Sequence, residues 1–294
     1  SETSSEDVPL FVMYGPQTSQ LTEELTGGLD YNGDGYDDIV TGSYRWDRPG
    51  ATNVGGVAFY AGRPSDPSGK TTVICEPDAW IRGNKKDDYM GLSLAAVGDL
   101  NSDGCDEVVV GAHLEDPSNQ GSVRLFYGWG PNCALSSPHV ALFLSGSNNS
   151  YAGRRLIAGQ DVDADGLPDV VVGGYEYRVG SLRMGAIWLL SGAHLQTGAS
   201  YPVVDGFVPP DAVATPFIAD GVEPSMVRVT GDAGNYGHFG LGLAFVPGVG
   251  PSGVSVAVGS QRADFSGADD TGGAQIFGYD ANGDPAGFIH RPLW

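Results

Sequence analysis

Three segments of the chain place carboxylates and amides at alternate positions of a short loop, a pattern that suits a hard cation. They are Asp30-Tyr-Asn-Gly-Asp-Gly-Tyr-Asp-Asp38, Asp99-Leu-Asn-Ser-Asp-Gly-Cys-Asp-Glu107 and Asp161-Val-Asp-Ala-Asp-Gly-Leu-Pro-Asp169. Ca²⁺ takes roughly six to eight oxygens, and side-chain oxygens at positions 1, 3 and 5, a main-chain carbonyl at 7 and an acid at 9 can wrap it. The first loop offers Asp30, Asn32, Asp34, the carbonyl of Tyr36, and Asp38. The second offers Asp99, Asn101, Asp103, the carbonyl of Cys105, and Glu107; the third offers Asp161, Asp163, Asp165, the carbonyl of Leu167, and Asp169. Gly35, Gly104 and Gly166 hold the sixth position, where a tight turn wants a residue without a Cβ.

A helix-loop-helix calcium motif would need Glu at position 12. Those positions here are Thr41, Val110 and Val172, inside β-branched runs, so the loops join strands. Asn, Asp and Gly also make good turns unaided, but three copies that each keep an acid at position 9 favour a cation. The expectation is about three structural Ca²⁺ ions. Asp280-Ala-Asn-Gly-Asp284 begins alike, but Pro285 stands where Gly should be, and the segment reads as a hairpin turn.

The strands around these loops repeat as well. A β-branched run ending in Gly follows each loop, and a fourth run, Val254-Ser-Val-Ala-Val258, recurs without carboxylates upstream. Next come aromatic strands: Val57-Ala-Phe-Tyr60, Val123-Arg-Leu-Phe-Tyr127, Ala186-Ile-Trp-Leu-Leu190 and Ala274-Gln-Ile-Phe277. Upstream lie a short strand ending near Gly and an aromatic-x-Gly turn, Tyr89-Met-Gly91, Tyr151-Ala-Gly153 and His238-Phe-Gly240. Short strands at regular spacing with Gly turns read as all-β, and four antiparallel strands per repeat make a β-propeller blade. The whole of 1–294 reads as one such domain, with repeats at about 8–62, 78–128, 139–192 and 226–280. The stretch from His194 to Pro224 leaves room for part of a fifth unit, and four units leave room for an incomplete ring. The segment Leu10 to Tyr14 is expected to be an outer strand that shuts the ring against the last blade, which ends on its third strand, Gln275 to Gly278.

Composition narrows the function. Acidic residues outnumber basic ones 36 to 15, for a formal charge of −21. Such a surface would repel phosphate, which argues against a nucleic-acid partner. Gly accounts for 46 of 294 residues, about twice the usual share of roughly 7%, which suits a turn-rich β protein. No apolar run approaches the roughly 18 residues of a membrane span. Ser1-Glu-Thr-Ser-Ser-Glu-Asp7 has no signal pattern, as in a chain without a leader or a mature secreted one. Cys75, Cys105 and Cys133 match no zinc or Cys-x-x-Cys spacing and allow one disulfide in any of three pairings, or three buried thiols. Asn148-Asn-Ser150 is a glycosylation sequon in an inter-blade turn.

The order of loop, strand and turn resembles FG-GAP repeats, the units of the integrin α-subunit β-propeller. Phe239-Gly240 matches the first half of that name, and Val110-Gly-Ala112 the second, with His113 where the family has Pro. The resemblance runs from about Val8 to Phe277. It implies that the carboxylate loops join strands 1 and 2 of a blade and bind Ca²⁺, and that the strand 2–3 loops lie on the opposite face. The family ring has seven blades, more than the four counted here.

No nucleophile elbow, phosphate-cradling loop or metal-spaced histidine pair occurs among the motifs, and His113 reads as a surface loop residue. The chain is therefore expected to be a non-enzymatic, extracellular adhesion or recognition module. The strand 2–3 loops hold Tyr44, Arg45 and Trp46, then Tyr175, Tyr177 and Arg178, then Arg262. Tyr, Trp and Arg are the residues enriched in binding hot spots. These seven are the candidate ligand-binding residues, for a protein or glycan partner. A structural subunit of a filament or surface complex, its arc completed by another chain, is the rival reading; an accessory domain of a hydrolase or lyase is weaker.

Overall fold

The computed structural model describes residues 11–13, 24–64, 72–74, 76–115, 119–144, 149–197, 200–206, 208, 215–216, 226–230, 238–250, 252–261, 272–279 and 285–289. After β1 (Phe11–Met13), the strands β2 (Glu24–Leu29), β3 (Asp38–Gly42) and β4 (Gly56–Tyr60) are followed by β5 (Thr72–Ile74) and β6 (Ala79–Arg82). The first antiparallel blade has the order β2-β3-β4-β6. β7 (Ser93–Gly98), β8 (Glu107–Ala112), β9 (Ser122–Tyr127) and β10 (His139–Leu144) form the second.

The third blade combines β11 (Arg155–Gln160) and β12 (Asp169–Gly174) with a later pair of strands. A small hairpin, β13 (Arg178–Val179) and β14 (Leu182–Arg183), precedes the third strand, β15 (Ala186–Leu190). Next come α1 (Gly192–Thr197), β16 (Tyr201–Pro202) and β17 (Thr215–Pro216), and β18 (Met226–Thr230) completes the blade. β19 (Phe239–Pro247), β20 (Val254–Ser260), β21 (Gly273–Tyr279) and β22 (Pro285–Ile289) form the fourth blade in sequence order. The chain is thus all-β, a propeller of four-stranded antiparallel blades.

The three large core clusters lie between blades, and a small fourth one, Ala58, Tyr60 and Ile74, packs β5 onto the first blade. In the first blade Thr26, Val40 and Phe59 stand in register, as do Ala95, Val109 and Leu125 in the second and Ile157, Val171 and Leu189 in the third. Val40 and Phe59 pack against Val108, Val110 and Phe126 of the next blade. Val109 and Leu125 meet Val170, Val172 and Trp188, while Val171 and Leu189 meet Val256, Val258 and Phe277. A blade clamped on both faces must be apolar on both, which is why the run Glu107–Ala112 has no polar-out alternation and is buried throughout. The corresponding row of the fourth blade is Ala244, Ala257 and Ile276, and it is half-buried or exposed.

Glycines set the distance between blades. A Cβ on Gly42 would stand 2.0 Å from the Gly91 carbonyl oxygen, one on Gly111 2.0 Å from that of Gly153, and one on Gly173 2.2 Å from that of Gly240. Each pair joins the end of one blade's second strand to the aromatic-x-Gly turn of the next. Bridges Gly55–Met90, Gly121–Ala152 and Gly185–Phe239 reinforce the same three junctions. Gly111 has no positive φ, so Gly111→Ala isolates the steric term. Overpacking of this kind costs about 1–3 kcal/mol; a urea titration should show that loss, and an unchanged midpoint would mean that the junction yields.

Two expectations about the ends need correction. Among the described residues the first segment pairs in parallel with β5, Phe11 opposite Thr72, and not with the last blade. The fourth blade does not end on its third strand, because β22 pairs antiparallel with β21. Among the described residues no strand of the fourth blade pairs with the first. The described parts of 194–224 are not a further blade either: α1 is a short helix, and β16 and β17 extend the edge of the second blade along β10.

Candidate metal loops and the opposite face

Alternate strands of a blade run in opposite directions, so the strand 1–2 hairpins lie at one end of the blades. The strand 2–3 loops and the links between blades lie at the other. The carboxylate loops occupy the first end and share one hydrogen-bond plan. The first acid accepts the backbone N–H groups of positions 5 and 6: Asp30 from Asp34 (3.0 Å) and Gly35 (2.7 Å), Asp99 from Asp103 and Gly104 (both 3.0 Å), Asp161 from Asp165 (3.1 Å) and Gly166 (3.0 Å). Asn32, Asn101 and Asp163 each accept the position 5 N–H at 2.9–3.1 Å.

The ninth acid begins the second strand and is fully buried in all three loops. Asp38 accepts the N–H of Tyr31, Glu107 that of Leu100, and Asp169 that of Val162. Each also accepts the N–H of the Gly just past the third strand, Gly62 at 2.6 Å, Gly128 at 3.4 Å and Gly192 at 2.8 Å. The longest of these belongs to Glu107, whose extra methylene displaces the carboxylate.

Burial, opposed by these N–H groups, still raises the Asp38 carboxyl to about 6, Asp169 to about 7 and Glu107 to about 8. The loop acids around each one push in the same direction. Such a donor set lacks positive charge, and a cation would supply it. Oxygens of Asp161, Asp163 and Asp169 all lie within 4.8 Å of one another, close enough to hold a metal ion. In the first two loops Asn32 and Asn101 replace the acid at Asp163. The Cys105 side chain turns away from its loop into a disulfide with Cys133, leaving its carbonyl as the loop's contribution.

At the opposite end the candidate ligand residues divide. Trp46 and Tyr177 are 4% and 8% exposed. Trp46 packs beside Trp80 under the Arg82 guanidinium, and Tyr177 meets Trp188 edge-on, so both pack onto strands of their own blades rather than face outward. Arg45 and Arg178 are exposed, Tyr44 and Tyr175 half-buried; Arg262 lies outside the described residues.

Tyr44 and Tyr175 belong to a row that the sequence pattern did not reveal. Ring centroids follow one another from Tyr44 to Tyr89 (5.8 Å), His113 (5.9 Å), Tyr151 (6.3 Å), Tyr175 (5.5 Å) and His238 (5.5 Å). The row crosses all three blade junctions, taking residues in turn from strand 2–3 loops and inter-blade links. Tyr89, Tyr151 and His238 open the aromatic-x-Gly turns with φ of 56°, 54° and 51°, a left-handed conformation uncommon for bulky residues. The one available signal was the recurrence of an aromatic two residues before each junction Gly. His113 is half-buried in its loop, and burial, aided by Arg154, lowers its imidazole to about 3, so the ring is neutral.

The FG-GAP repeat family model matches residues 23–60 and 90–126. Mouse integrin alpha-IIb is 32% identical over 178 residues, 57% of this chain and 16% of that protein. Integrin alpha pat-2 of Caenorhabditis briggsae is 30% identical over 162 residues, 50% of the chain and 13% of its own length. Human integrin alpha-X is 41% identical over 85 residues, 28% and 7% respectively. The chain thus spans under a fifth of these relatives. A propeller of four-stranded blades with carboxylate hairpins at one end is the class that the fold defines. Within it, the chain carries two segments that match the FG-GAP repeat and resembles the integrin α-subunit propeller.

Proposed function

We propose that this protein is an extracellular, Ca²⁺-stabilised, non-enzymatic recognition module, with one ion in each carboxylate loop and a protein partner on the opposite face. In this reading the ligands are the fifteen groups identified from the sequence, Asp30 to Asp38, Asp99 to Glu107 and Asp161 to Asp169 at their odd positions. Extracellular fluid fills modest sites of roughly 10⁻⁴–10⁻³ M affinity, which cytosol cannot do. The observation that carries the recognition role is the half-buried aromatic row from Tyr44 to His238, flanked by exposed Arg45 and Arg178. Backbone strain at three of its members fits a functional face, since such strain gathers at binding sites.

The test is a screen of the Ca²⁺-loaded protein against extracellular protein and glycan arrays, repeated with Tyr44→Ala plus Tyr175→Ala. The expected result is a protein ligand whose binding weakens by about 2 kcal/mol or more per hot spot, with the melting temperature in Ca²⁺ held. Undiminished binding would move the ligand elsewhere, and a glycan hit would make the protein a lectin. A second reading, an assembly subunit, is favoured by the outward row Ala244, Ala257 and Ile276, which repeats a buried interface row without a described neighbour. Sedimentation as a Ca²⁺-dependent oligomer would support it.

A further inference from the structure

We propose that residues 129–135 and the Cys105–Cys133 disulfide are positioning elements that make the first two carboxylate loops a single coupled cation-binding unit, while the third binds alone. This rests on the Ca²⁺ reading above and concerns how two of its sites are held.

The disulfide leaves the seventh position of the second loop, the residue whose carbonyl would be a ligand, and enters residues 129–135 at Cys133. From the residue before it, Asn132 donates its amide Nδ2 to the Gly33 carbonyl of the first loop at 2.7 Å. From the residue after it, the Ala134 N–H reaches Asp103 Oδ2 of the second loop at 3.0 Å. The Trp129 N–H is bonded to the Tyr31 carbonyl at 2.9 Å. Contact with the sulfur is close enough that a Cβ on Gly33 would stand 2.8 Å from Cys105 Sγ. The two loops also touch directly, Asp106 N–H to the Asp30 carbonyl and Asp30 N–H to Asp106 Oδ2, both at 2.8 Å.

The third loop takes its side-chain hydrogen bonds from within its own blade, while Val162 joins the core layer shared with the fourth blade. Ser191 Oγ donates to Asp165 Oδ2 at 2.8 Å and Gly192 N–H to Asp169. Past that blade's third strand, α1 reaches the second loop at the Leu100 carbonyl, through Gln196. Among the described residues, no bond joins the third loop's own acids to residues 129–135.

Groups behind metal ligands orient them, and their loss typically costs about 10–100-fold in affinity. Cutting the disulfide should therefore loosen a ligand carbonyl in loop 2 and a turn carbonyl in loop 1 together. The experiment is calorimetric Ca²⁺ titration of two proteins, oxidised and after reduction. Asp165→Asn disables the third loop and reports on loops 1 and 2. The pair Asp34→Asn with Asp103→Asn reports on the third loop. Reduction is expected to weaken the first protein at least tenfold and to leave the second unchanged. Asn132→Ala, which keeps the disulfide, should weaken loops 1 and 2 and again spare the third.

Equal affinities before and after reduction, with Asn132→Ala silent, would overturn the proposal. So would a parallel loss at all three loops, which would make the disulfide a general brace. Absence of Ca²⁺ binding by the oxidised native chain would instead overturn the calcium reading itself.

Discussion

Chelation is expected to lower the unfolding free energy by about 8 kcal/mol when Ca²⁺ had been present at about a hundredfold excess over its dissociation constant, about 2.7 kcal/mol for each of three loops. A folded domain commonly holds only about 5–15 kcal/mol in total, so the stripped chain should melt far lower or unfold outright. The cause is visible in the loops. Asp161, Asp163 and Asp169 crowd their oxygens within 4.8 Å, and without a cation their repulsion acts against the hairpin that leads into a fully buried strand. Scanning calorimetry in Ca²⁺ and in chelator at equal ionic strength decides the matter. Coincident melting would reduce the loops to turns.

The second large effect is expected at Arg124. This side chain is fully buried in the second blade, with its guanidinium 3.0 Å from Glu115, 3.6 Å from Asp88 and 3.1 Å from Ser122 Oγ. Ser122 in turn donates to Glu115, and Lys85 closes on the other Glu115 oxygen at 3.0 Å. Burial pushes the Glu115 carboxyl up, yet Arg124 and Lys85 outweigh it and hold the group below its ordinary value. Removing one partner of such a buried set typically costs about 3–5 kcal/mol, because the carboxylates are left without their counter-charge. Arg124→Ala should lose that much in a denaturant titration at neutral pH, whereas the exposed pair Arg63–Asp78 should contribute under about 1 kcal/mol. A loss as small at Arg124 would mean that water reaches the cluster. Asp88 adjoins Tyr89, and Glu115 lies two residues past His113, so the cluster also anchors two members of the aromatic row.

The blades were legible in the sequence because each signal was local and recurrent. An acid at position 1 and another at position 9 fix a hairpin, and Val-Val-Val-Gly fixes a strand buried on both faces. What the sequence could not convey depended on distant partners or on side-chain direction. Trp46 and Tyr177 lie in irregular loops, where no period of two or 3.6 says which way a side chain turns; Trp80 and Trp188 decide it. The pairing of β1 with β5 joins weak segments about sixty residues apart without a turn signal between them. β22 begins at Pro285, a residue that demotes a run to edge strand or non-strand. The choice of Cys105 with Cys133 among three pairings follows from residues 129–135 folding back over loop 1, which no spacing encodes.

Because the three large core layers are each shared by two blades, no blade between two neighbours owns its stability. Among the described residues the second and third blades are gripped on both faces, while the fourth leans on one neighbour, and its strand 1–2 hairpin closes through Gly248 and Gly253 without carboxylates. Local opening in such an array starts at a free end and travels by whole units. The lifetime of the closed fourth blade is then a property separate from global melting. His238, which ends the aromatic row, leads directly into that blade's first strand, and its contacts with Tyr175 and Glu176, like the Gly185–Phe239 bridge beside it, cross to the third blade. The last place in the row is therefore the one whose presence can flicker while the rest of the chain stays folded.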